Sequence, residues 1–292
     1  MNEKLFSLPV IHQITPYLSQ RQIGDLPVIV VNHPKVKAAI TLQGAHLIAW
    51  RPAGEQPVIW LSEKTPYAAG KAIRGGVPIC WPWFGPEGEP AHGFARSMPW
   101  VLSAHDEDGD GVILTFALES NAQTQKLWPH DFTLFARFRL SDRCEIELEA
   151  HGDYNSTAAL HTYFAVADID SVEVSGLGRS FIDKVNSGVT GDSPDGKQTY
   201  PNRIDRIYTH PEDCSVISDK VGNRLIEVYH HYHSDVVTWN PGAELSSSMA
   251  DMADDGYKTF VCVETAHIST PMKSAGEKPA RLAATLRLRK KA

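Results

Sequence analysis

Two side chains that could exchange protons with a substrate stand inside runs of apolar residues. Glu264 ends the run Thr259-Phe260-Val261-Cys262-Val263, and His161 stands in the middle of Ala158-Ala159-Leu160-His161-Thr162-Tyr163-Phe164. Because burial disfavours a charged carboxylate, Glu264 either reaches solvent or a structural arginine, or is a general base with a pKa raised toward neutrality. His161 is likewise either a satisfied core histidine or a catalytic one. The two runs indicate a candidate acid–base pair, and a structural role stays open for each member.

A planar cation precedes two glycines at Arg74-Gly75-Gly76. The glycines let a backbone or a ligand approach closely, and a guanidinium matches the geometry of a phosphate or of paired hydroxyls. His92 and Arg96 lie four residues apart in a nearby glycine-containing loop and indicate little by themselves. Arg74 is therefore the stronger signal for a polar ligand.

Aromatic residues cluster between these two features, at Trp81-Pro82-Trp83-Phe84. Three prolines within residues 78–86 exclude a regular helix or a central strand there. The segment predicts an irregular loop that is either a packed lid or a platform for the apolar face of a hexose.

The elements that must position these residues are strands, because the apolar residues recur with a period of two. In residues 131–140 the even positions are apolar, and the alternation resumes at 144–149 after Ser141-Asp142, which predicts a β-hairpin with one buried face. The same alternation over 281–289 predicts a C-terminal strand whose arginines face water. Further strands are predicted at 27–32, 36–42, 45–51, 112–119, 158–166, 171–175, 224–229, 235–239 and 259–264.

Many short strands separated by glycine and proline predict an all-β protein, a large antiparallel β-sandwich of two sheets. One short helix is predicted over 120–128, and residues 186–203 read as a long polar loop. Since no linker-like stretch divides the chain, we expect residues 1–292 to form a single domain.

The composition excludes several kinds of partner. The net charge of −7 argues against nucleic acid, which needs a basic face. No apolar run reaches the 18 residues or so of a membrane span, and the N-terminal Leu5–Ile11 segment is too short and too broken by Pro9 for a signal peptide. The four cysteines lie far apart, which favours the cytoplasm. An anionic small ligand requires arginines that locally outweigh the net charge.

No motif predicts a metal or a cofactor. Residues 106–111 begin like a calcium loop, but Ala117 stands where the loop needs glutamate, so a solvated turn between strands is expected. His230-His231-Tyr232-His233 lacks carboxylate or cysteine partners at ligand spacing. Nucleotide-binding and serine-hydrolase motifs are absent from the sequence.

Seven ordered motifs give the chain a family resemblance. It resembles the aldose 1-epimerases with the galactose mutarotase-like fold, and most of all their hexose-6-phosphate branch, the glucose-6-phosphate 1-epimerases. The motifs extend over roughly 73–265 and are Ile73-Arg74-Gly75-Gly76-Val77-Pro78, Trp81-Pro82-Trp83-Phe84-Gly85, His92-Gly93-Phe94-Ala95-Arg96, Leu160-His161-Thr162-Tyr163-Phe164, Asp205-Arg206-Ile207-Tyr208, Trp239-Asn240-Pro241 and Val263-Glu264-Thr265.

The resemblance implies a role for each matching residue. His161 would be the general acid and Glu264 the general base. Arg74, His92 and Asp205 would hold the sugar ring and its hydroxyls, and Arg96 together with Arg74 would read the 6-phosphate. Two features of this sequence modify that picture: Lys71 is a candidate third cation, and Ala91 replaces a polar residue that some relatives carry before His-Gly, which leaves the contacts of that loop open.

The expected reaction is the interconversion of α and β anomers of a hexose 6-phosphate without a cofactor. The base removes the O1 proton while the acid protonates O5, so we expect His161 to start protonated, Glu264 to start ionised and the pH profile to be bell-shaped. Three alternatives stay open: epimerisation of a neutral aldose such as galactose, a noncatalytic sugar-binding protein, and a metal-dependent isomerase using His230, His231 and His233. The expected partner is a small sugar phosphate, and the expected state is a monomer or weak dimer.

Overall fold

The structure, a computed structural model, describes residues 2–290 and, of Asn2, the backbone alone. Residues 1, 291 and 292 of the predicted domain lie outside the described residues. Five strands form the first sheet, sheet 1, in the order in which they occur along the chain: β1 (His12–Gln13), β2 (Leu18–Ile23), β3 (Leu26–His33), β4 (Val36–Thr41) and β5 (His46–Pro52).

The remaining strands form two larger sheets. They are β6 (Ile79–Cys80), β7 (Val101–Glu107), β8 (Val112–Glu119), β9 (Thr133–Leu140), β10 (Arg143–His151), β11 (Tyr154–Leu160), β12 (Tyr163–Ala165), β13 (Val172–Ser175), β14 (Ser180–Asp183), β15 (Val189–Asp192), β16 (Ile204–Tyr208), β17 (Cys214–Asp219), β18 (Arg224–His231), β19 (Asp235–Asn240), β20 (Phe260–Ser274) and β21 (Ala280–Lys290).

Both larger sheets have eight strands, paired antiparallel. Sheet 2 has the order β13-β17-β18-β21-β10-β9-β8-β7, and sheet 3 has the order β15-β14-β16-β19-β20-β11-β6 with β12 paired to β20. The predicted all-β antiparallel sandwich is confirmed, and sheet 1 is an addition to the two sheets expected. The single domain over residues 1–292 stays a prediction; it is supported by a hydrophobic cluster to which all three sheets contribute.

Helices are few and short within residues 2–290: α1 (Asn2–Phe6), α2 (Ala122–Leu127) and α3 (Gly242–Ser248), with 3₁₀ turns at Ala95–Ser97, Ile169–Ser171 and Gly256–Thr259. The predicted helix at 120–128 is α2, whose first backbone N–H groups are capped by the Asn121 side chain. None of the helices in this part of the chain is long and apolar enough to cross a membrane.

Alternation of side chains decides which residues face the core. In the hairpin of β9 and β10, Leu140 pairs with Cys144 across the Ser141-Asp142 turn, as predicted. In β20, Val261 and Val263 enter the large hydrophobic cluster, so Cys262 and Glu264 project from the opposite face of sheet 3. The sheet therefore has one face in the core and one face that can carry a site.

Two sequence-based expectations were wrong in detail. The single strand predicted at 158–166 is broken at His161-Thr162, where β11 ends and β12 has not begun. The polar loop predicted at 186–203 contains the strand β15, a sheet edge whose four residues are mostly exposed and show no apolar alternation.

Candidate active site

A cavity of about 420 Å³ opens on the face of sheet 3 that points away from the large hydrophobic cluster. Its walls come from alternate positions of the central strands, because residues two apart on a strand share a face. Asp205 and Ile207 of β16, Val237 and Trp239 of β19 and Glu264 of β20 all line it. The volume lies within the range of small-ligand pockets.

Glu264 lies in the wall of this cavity, in the middle of sheet 3. Its strand β20 pairs with β19, where Val237 stands opposite Glu264, and with β11 on its other side. The side chain is only 1% exposed, and its Oε2 atom has no hydrogen-bond partner among the described residues. An unpartnered buried carboxylate oxygen is costly, so a strand-end glutamate reaching solvent is excluded here.

His161 lies beside Glu264 because the chain leaves strand geometry between β11 and β12. Its backbone N–H donates to the Pro78 carbonyl oxygen at 3.0 Å, and its ring stacks on Tyr163 with centroids 4.9 Å apart. The His161 Nε2 and Glu264 Oε1 atoms are 3.4 Å apart, and the Nδ1 atom has no partner among the described residues. The two predicted catalytic groups therefore form a buried pair in one cavity.

Burial acts on the two members in opposite directions. It lowers the pKa of His161 well below its usual value, and the nearby His92 and the Arg96 charge lower it further. Burial and the charge of Asp205 raise the pKa of Glu264 well above its usual value. Burial of the pair therefore favours a neutral imidazole and a protonated carboxyl. This differs from the expected resting state of imidazolium and carboxylate. The expectation allowed for burial of Glu264 but not for burial of His161, which lowers the pKa of that imidazole.

Arg74 reaches the cavity from the Gly75-Gly76 turn. Its Nε donates to an Asp251 carboxylate oxygen at 3.1 Å, and its Nη1 donates to the Tyr163 hydroxyl at 3.1 Å. Two partners hold the guanidinium in one orientation while part of it still lines the cavity. Asp251 comes from a distant loop, and no sequence pattern pointed to it.

The backbone at Gly76 packs too closely against its neighbours to accept a side chain. Gly76 has a φ of +70°, and a Cβ there would lie 2.5 Å from the Nε2 atom of His46 and 2.6 Å from the Leu47 carbonyl oxygen. Gly76→Ala should therefore lower the free energy of unfolding by more than the roughly 1–2 kcal/mol that left-handed backbone costs an L-residue. Urea denaturation measures this value.

Gly70→Ala is the matched control, because Gly70 has a φ of +75° and a Cβ added there would have no atom within 4 Å. The free energy of unfolding of Gly70→Ala should fall only by the amount that the left-handed backbone conformation costs. Equal losses in Gly70→Ala and Gly76→Ala would contradict the close packing against His46.

His92 lines the cavity with its ring in a defined tautomer. Its Nδ1 atom accepts from the Gly85 backbone N–H at 3.2 Å, so in the neutral ring the proton is on Nε2. Burial, together with the charges of Arg96 and Arg74, lowers the pKa of His92 to about 4. Near neutral pH, His92 is therefore a hydrogen-bond donor rather than a cation.

Asp205 and Lys184 also line the cavity. The Lys184 backbone N–H donates to the Asp205 carbonyl oxygen at 2.8 Å, because Lys184 directly follows β14, the neighbour of β16. Burial raises the pKa of the Asp205 carboxyl. Asp205 was predicted from the sequence as a residue of this site, and Lys184 was not. The one feature that could have indicated Lys184 is its position directly after β14, a strand that was not predicted either.

Two cations named from the sequence do not line this cavity. The Arg96 guanidinium donates to the Ala91 carbonyl oxygen at 2.8 Å, and its charge still lowers the pKa of His92 and of His161. Lys71 is exposed and outside the lining residues. Arg96 thus acts on the site at a distance, through its charge, and Lys184 rather than Lys71 is the lysine that lines the cavity.

The aromatic loop at 81–84 divides between core and cavity. Trp81 is fully buried in the large hydrophobic cluster, with Phe94 and Phe132 edge-on to its ring, so it is no sugar platform. Phe84 lines the cavity, and its backbone N–H donates to Thr157 Oγ1 at 2.9 Å, in the bulge of β11. Trp239 and Tyr163 supply the other aromatic walls.

The histidine cluster at 230–233 contains a satisfied core residue. His230 hydrogen-bonds through Nδ1 to Thr265 Oγ1 at 2.8 Å and through Nε2 to Ser215 Oγ at 3.0 Å, and burial lowers its pKa to about 3. Among residues 2–290, the one group of three side chains with metal-ligand spacing is His161, Cys262 and Glu264, of which His161 and Glu264 line the cavity.

Comparisons with known proteins agree with this geometry. A family model described as Aldose 1-epimerase matches residues 27–280. A Salmonella typhimurium protein, provisionally named glucose-6-phosphate 1-epimerase, is 60% identical over 289 residues, 98% of each chain. An Escherichia coli K12 protein with the same provisional name is 59% identical over 294 residues, 100% of each chain. The crystal structure of a Salmonella typhimurium protein, described provisionally as a mutarotase, matches with a TM-score of 0.98 at 60% identity, covering 99% of each chain.

Proposed function

The chain belongs to the aldose 1-epimerase family, and on that premise we propose that it is a glucose-6-phosphate 1-epimerase. It interconverts the α and β anomers by acid–base opening and closure of the sugar ring, with no cofactor. The observation that carries the proposal is the buried pair: His161 Nε2 lies 3.4 Å from Glu264 Oε1, and each residue keeps one further atom without a partner. A structural pair would be expected to satisfy those atoms within the protein.

The proton transfers can be followed atom by atom. Ionised Glu264 takes the proton of O1 while protonated His161 gives a proton to O5, and the C1–O5 bond breaks to give the open-chain aldehyde. Rotation about C1–C2 presents the other face of the aldehyde, and the reverse transfers close the ring as the other anomer. Each positioned proton transfer contributes about 10²–10⁴-fold to the rate.

Burial of His161 and Glu264 favours the protonation state that the pair has when the sugar is in its open-chain form. Ring opening converts carboxylate and imidazolium into carboxyl and neutral imidazole, and these are the forms that burial of Glu264 and His161 stabilises. The pair holds one proton before and after this step. The open-chain aldehyde therefore forms without leaving two opposite charges on the buried pair.

Recognition of the phosphate is supported by the cations around the cavity. Arg74 and Lys184 both line it, and His92 offers a neutral N–H donor. A phosphate dianion approaching a protein of net charge −7 needs such a local concentration of positive charge. Arg96 would join the phosphate site if its guanidinium gave up its hydrogen bond to the Ala91 carbonyl oxygen and donated to the phosphate instead.

Lys184 provides a test of phosphate recognition. Lys184→Met should raise KM for glucose-6-phosphate by about tenfold or more, because a hydrogen bond to a charged group contributes about 1.5–3 kcal/mol. Anomer exchange at several substrate concentrations gives KM, and the KM for glucose, which carries no phosphate, should show no such rise.

Lys71→Met is the matched control, because Lys71 is exposed and outside the cavity. It removes the same charge from the protein and should leave KM close to that of the wild type. An equal rise in both variants would mean that net charge, rather than a contact at the cavity, sets the affinity.

The activity itself is tested by dissolving the pure α anomer of glucose-6-phosphate and following the optical rotation. The rotation should relax faster in proportion to protein concentration. A rate equal to that of buffer alone, in the presence of saturable binding, would support the sugar-sensing alternative instead.

Two further properties belong to the proposal. The cysteines Cys80, Cys144, Cys214 and Cys262 are all free thiols, which supports a reducing compartment such as the cytoplasm. The expected monomer or weak dimer stays a prediction, as does the absence of nucleic-acid and membrane partners.

A further inference from the structure

A cysteine that the proposed reaction does not use lies beside the catalytic pair. Cys262 stands two residues before Glu264 on β20, on the same face, and pairs in register with Tyr163, two residues after His161. One donor atom from each of His161, Cys262 and Glu264 lies within 4.8 Å of the others, and all three residues are buried. Three buried donors of different chemical type thus lie close together: His161 and Glu264 line the cavity, and Cys262 belongs to a small hydrophobic cluster beside them.

The spacing and the donor types fit one class of ion. A tetrahedral Zn²⁺ site with bonds of about 2.1 Å separates its ligand atoms by about 3.4 Å. His161 Nε2 and Glu264 Oε1 are 3.4 Å apart, and the three donor atoms as a group lie within 4.8 Å of one another, so binding would draw the group closer together. Imidazole, thiolate and carboxylate are the three ligands zinc takes in proteins, and a site with three of them keeps a fourth position open. Glu264 Oε2 and His161 Nδ1, both without partners, leave these side chains free to adjust.

We propose that His161, Cys262 and Glu264 form a Zn²⁺-binding site, and that zinc bound there inhibits the protein by occupying the proton acceptor and the proton donor. The binding half of this proposal stands on the donor geometry alone. The inhibition half rests on the proposed function, because it assumes that His161 and Glu264 transfer the protons.

The charge balance of binding is favourable in a buried site. Zinc displaces the proton of the Cys262 thiol and that of the Glu264 carboxyl, and both protons go to solvent. The ion with one thiolate, one carboxylate and a neutral imidazole has no net charge, so the cavity need not hold an uncompensated ion. Arg74, held by Asp251 and the Tyr163 hydroxyl, and Lys184 are the cations lining the cavity that oppose the ion.

Cobalt titration tests the site directly, since Co²⁺ takes the same ligands and a thiolate–cobalt bond gives a charge-transfer band in the near ultraviolet. Wild-type protein should bind one equivalent with this band, and excess Zn²⁺ should remove it. Cys262→Ser should lose the band and bind at least about 100-fold more weakly, because even a lost outer partner of a ligand costs about 10–100-fold.

The control is Cys214→Ser, which removes the half-buried thiol of β17 outside the cavity and should keep both band and affinity. Cys262→Ala serves beside Cys262→Ser should the serine variant fail to fold, as judged by thermal melting. A band that survives in the Cys262 variants, or no binding by wild type, overturns the site.

Inhibition is measured separately on the wild type and on Cys262→Ser. Micromolar-range Zn²⁺ titration should inhibit the wild type competitively with the sugar phosphate, and Cys262→Ser should keep its activity and lose this sensitivity. Equal inhibition of both overturns the inhibitory role. Cobalt binding by a protein without any epimerase activity would sink the proposed function and leave the metal site standing.

Discussion

Replacing Glu264 with glutamine is expected to lower the acceleration of anomer exchange by about 10²–10⁴-fold, the contribution of one positioned proton transfer. The amide has nearly the size of the carboxyl, so packing in the cavity wall is retained, but it cannot accept the O1 proton. The rate of exchange per mole of protein, measured with saturating glucose-6-phosphate, gives the size of the loss.

Glu227→Gln is the matched control for this substitution. Glu227 is also a buried glutamate, 7% exposed, but it lies on sheet 2, where its carboxylate accepts from Arg289 and from the Tyr229 hydroxyl, and it does not line the cavity. Activity should stay near that of the wild type in Glu227→Gln. Comparable activity in Glu264→Gln and the wild type would show that Glu264 is not the base.

The same Glu264→Gln variant is expected to be more stable than the wild type at neutral pH. Because burial raises the pKa of Glu264, the folded protein keeps a proton that the unfolded chain releases above the usual glutamate range near pH 4.5. Wild-type stability therefore falls as pH rises through the window between the usual and the raised pKa. The glutamine variant lacks this titration, and urea denaturation at pH 5 and at pH 8 should show a smaller decline for it.

Replacing His161 with asparagine is expected to cost a similar factor of about 10²–10⁴, because the O5 proton then has no positioned donor. Residues that act as a unit have non-additive effects, so the double variant with Glu264→Gln should lose little more than either single variant. His33→Asn is the control, since His33 is a buried histidine, 6% exposed, at the end of β3 and remote from the cavity.

The pH profile of His161→Asn separates a catalytic role from a structural one. In the wild type the pair can transfer protons only while it holds one proton. Activity should therefore fall at low pH, where the pair gains a second proton, and at high pH, where it loses the first. The plot of activity against pH is then bell-shaped. Without the imidazole, the residual activity should rise with pH as Glu264 ionises and then level off. A bell-shaped profile retained in His161→Asn would contradict the assignment.

Much of the fold follows from local patterns in the sequence. The alternation in 131–149 predicted β9, β10 and their turn, since one face of that hairpin is buried. Two of the strands that were missed carry no such signal: β7 is almost wholly exposed, and β15 has no buried residue. Their pairing depends on main-chain hydrogen bonds to β8 and β14, which side-chain types do not reveal.

The candidate site was predictable to the extent that its residues lie on strands with a defined face. Glu264 and His161 stood out as ionisable groups in apolar runs, and the structure places both in one cavity. Lys184 and Asp251 were missed because their positions depend on loops brought together over long sequence distances. The raised pKa of Glu264 was expected from its apolar run, but the lowered pKa of His161 and the effect of the Asp205 charge on Glu264 depend on packing that the sequence does not reveal.

Magnetisation-exchange NMR on glucose-6-phosphate at anomeric equilibrium, with galactose measured in parallel, tests the central claim most directly. The account predicts exchange between the α and β signals that grows with protein concentration, is much weaker for galactose and disappears in Glu264→Gln. Exchange of galactose alone would keep the mechanism and overturn the phosphate assignment. An exchange rate for glucose-6-phosphate that does not rise above the rate in buffer would contradict the account.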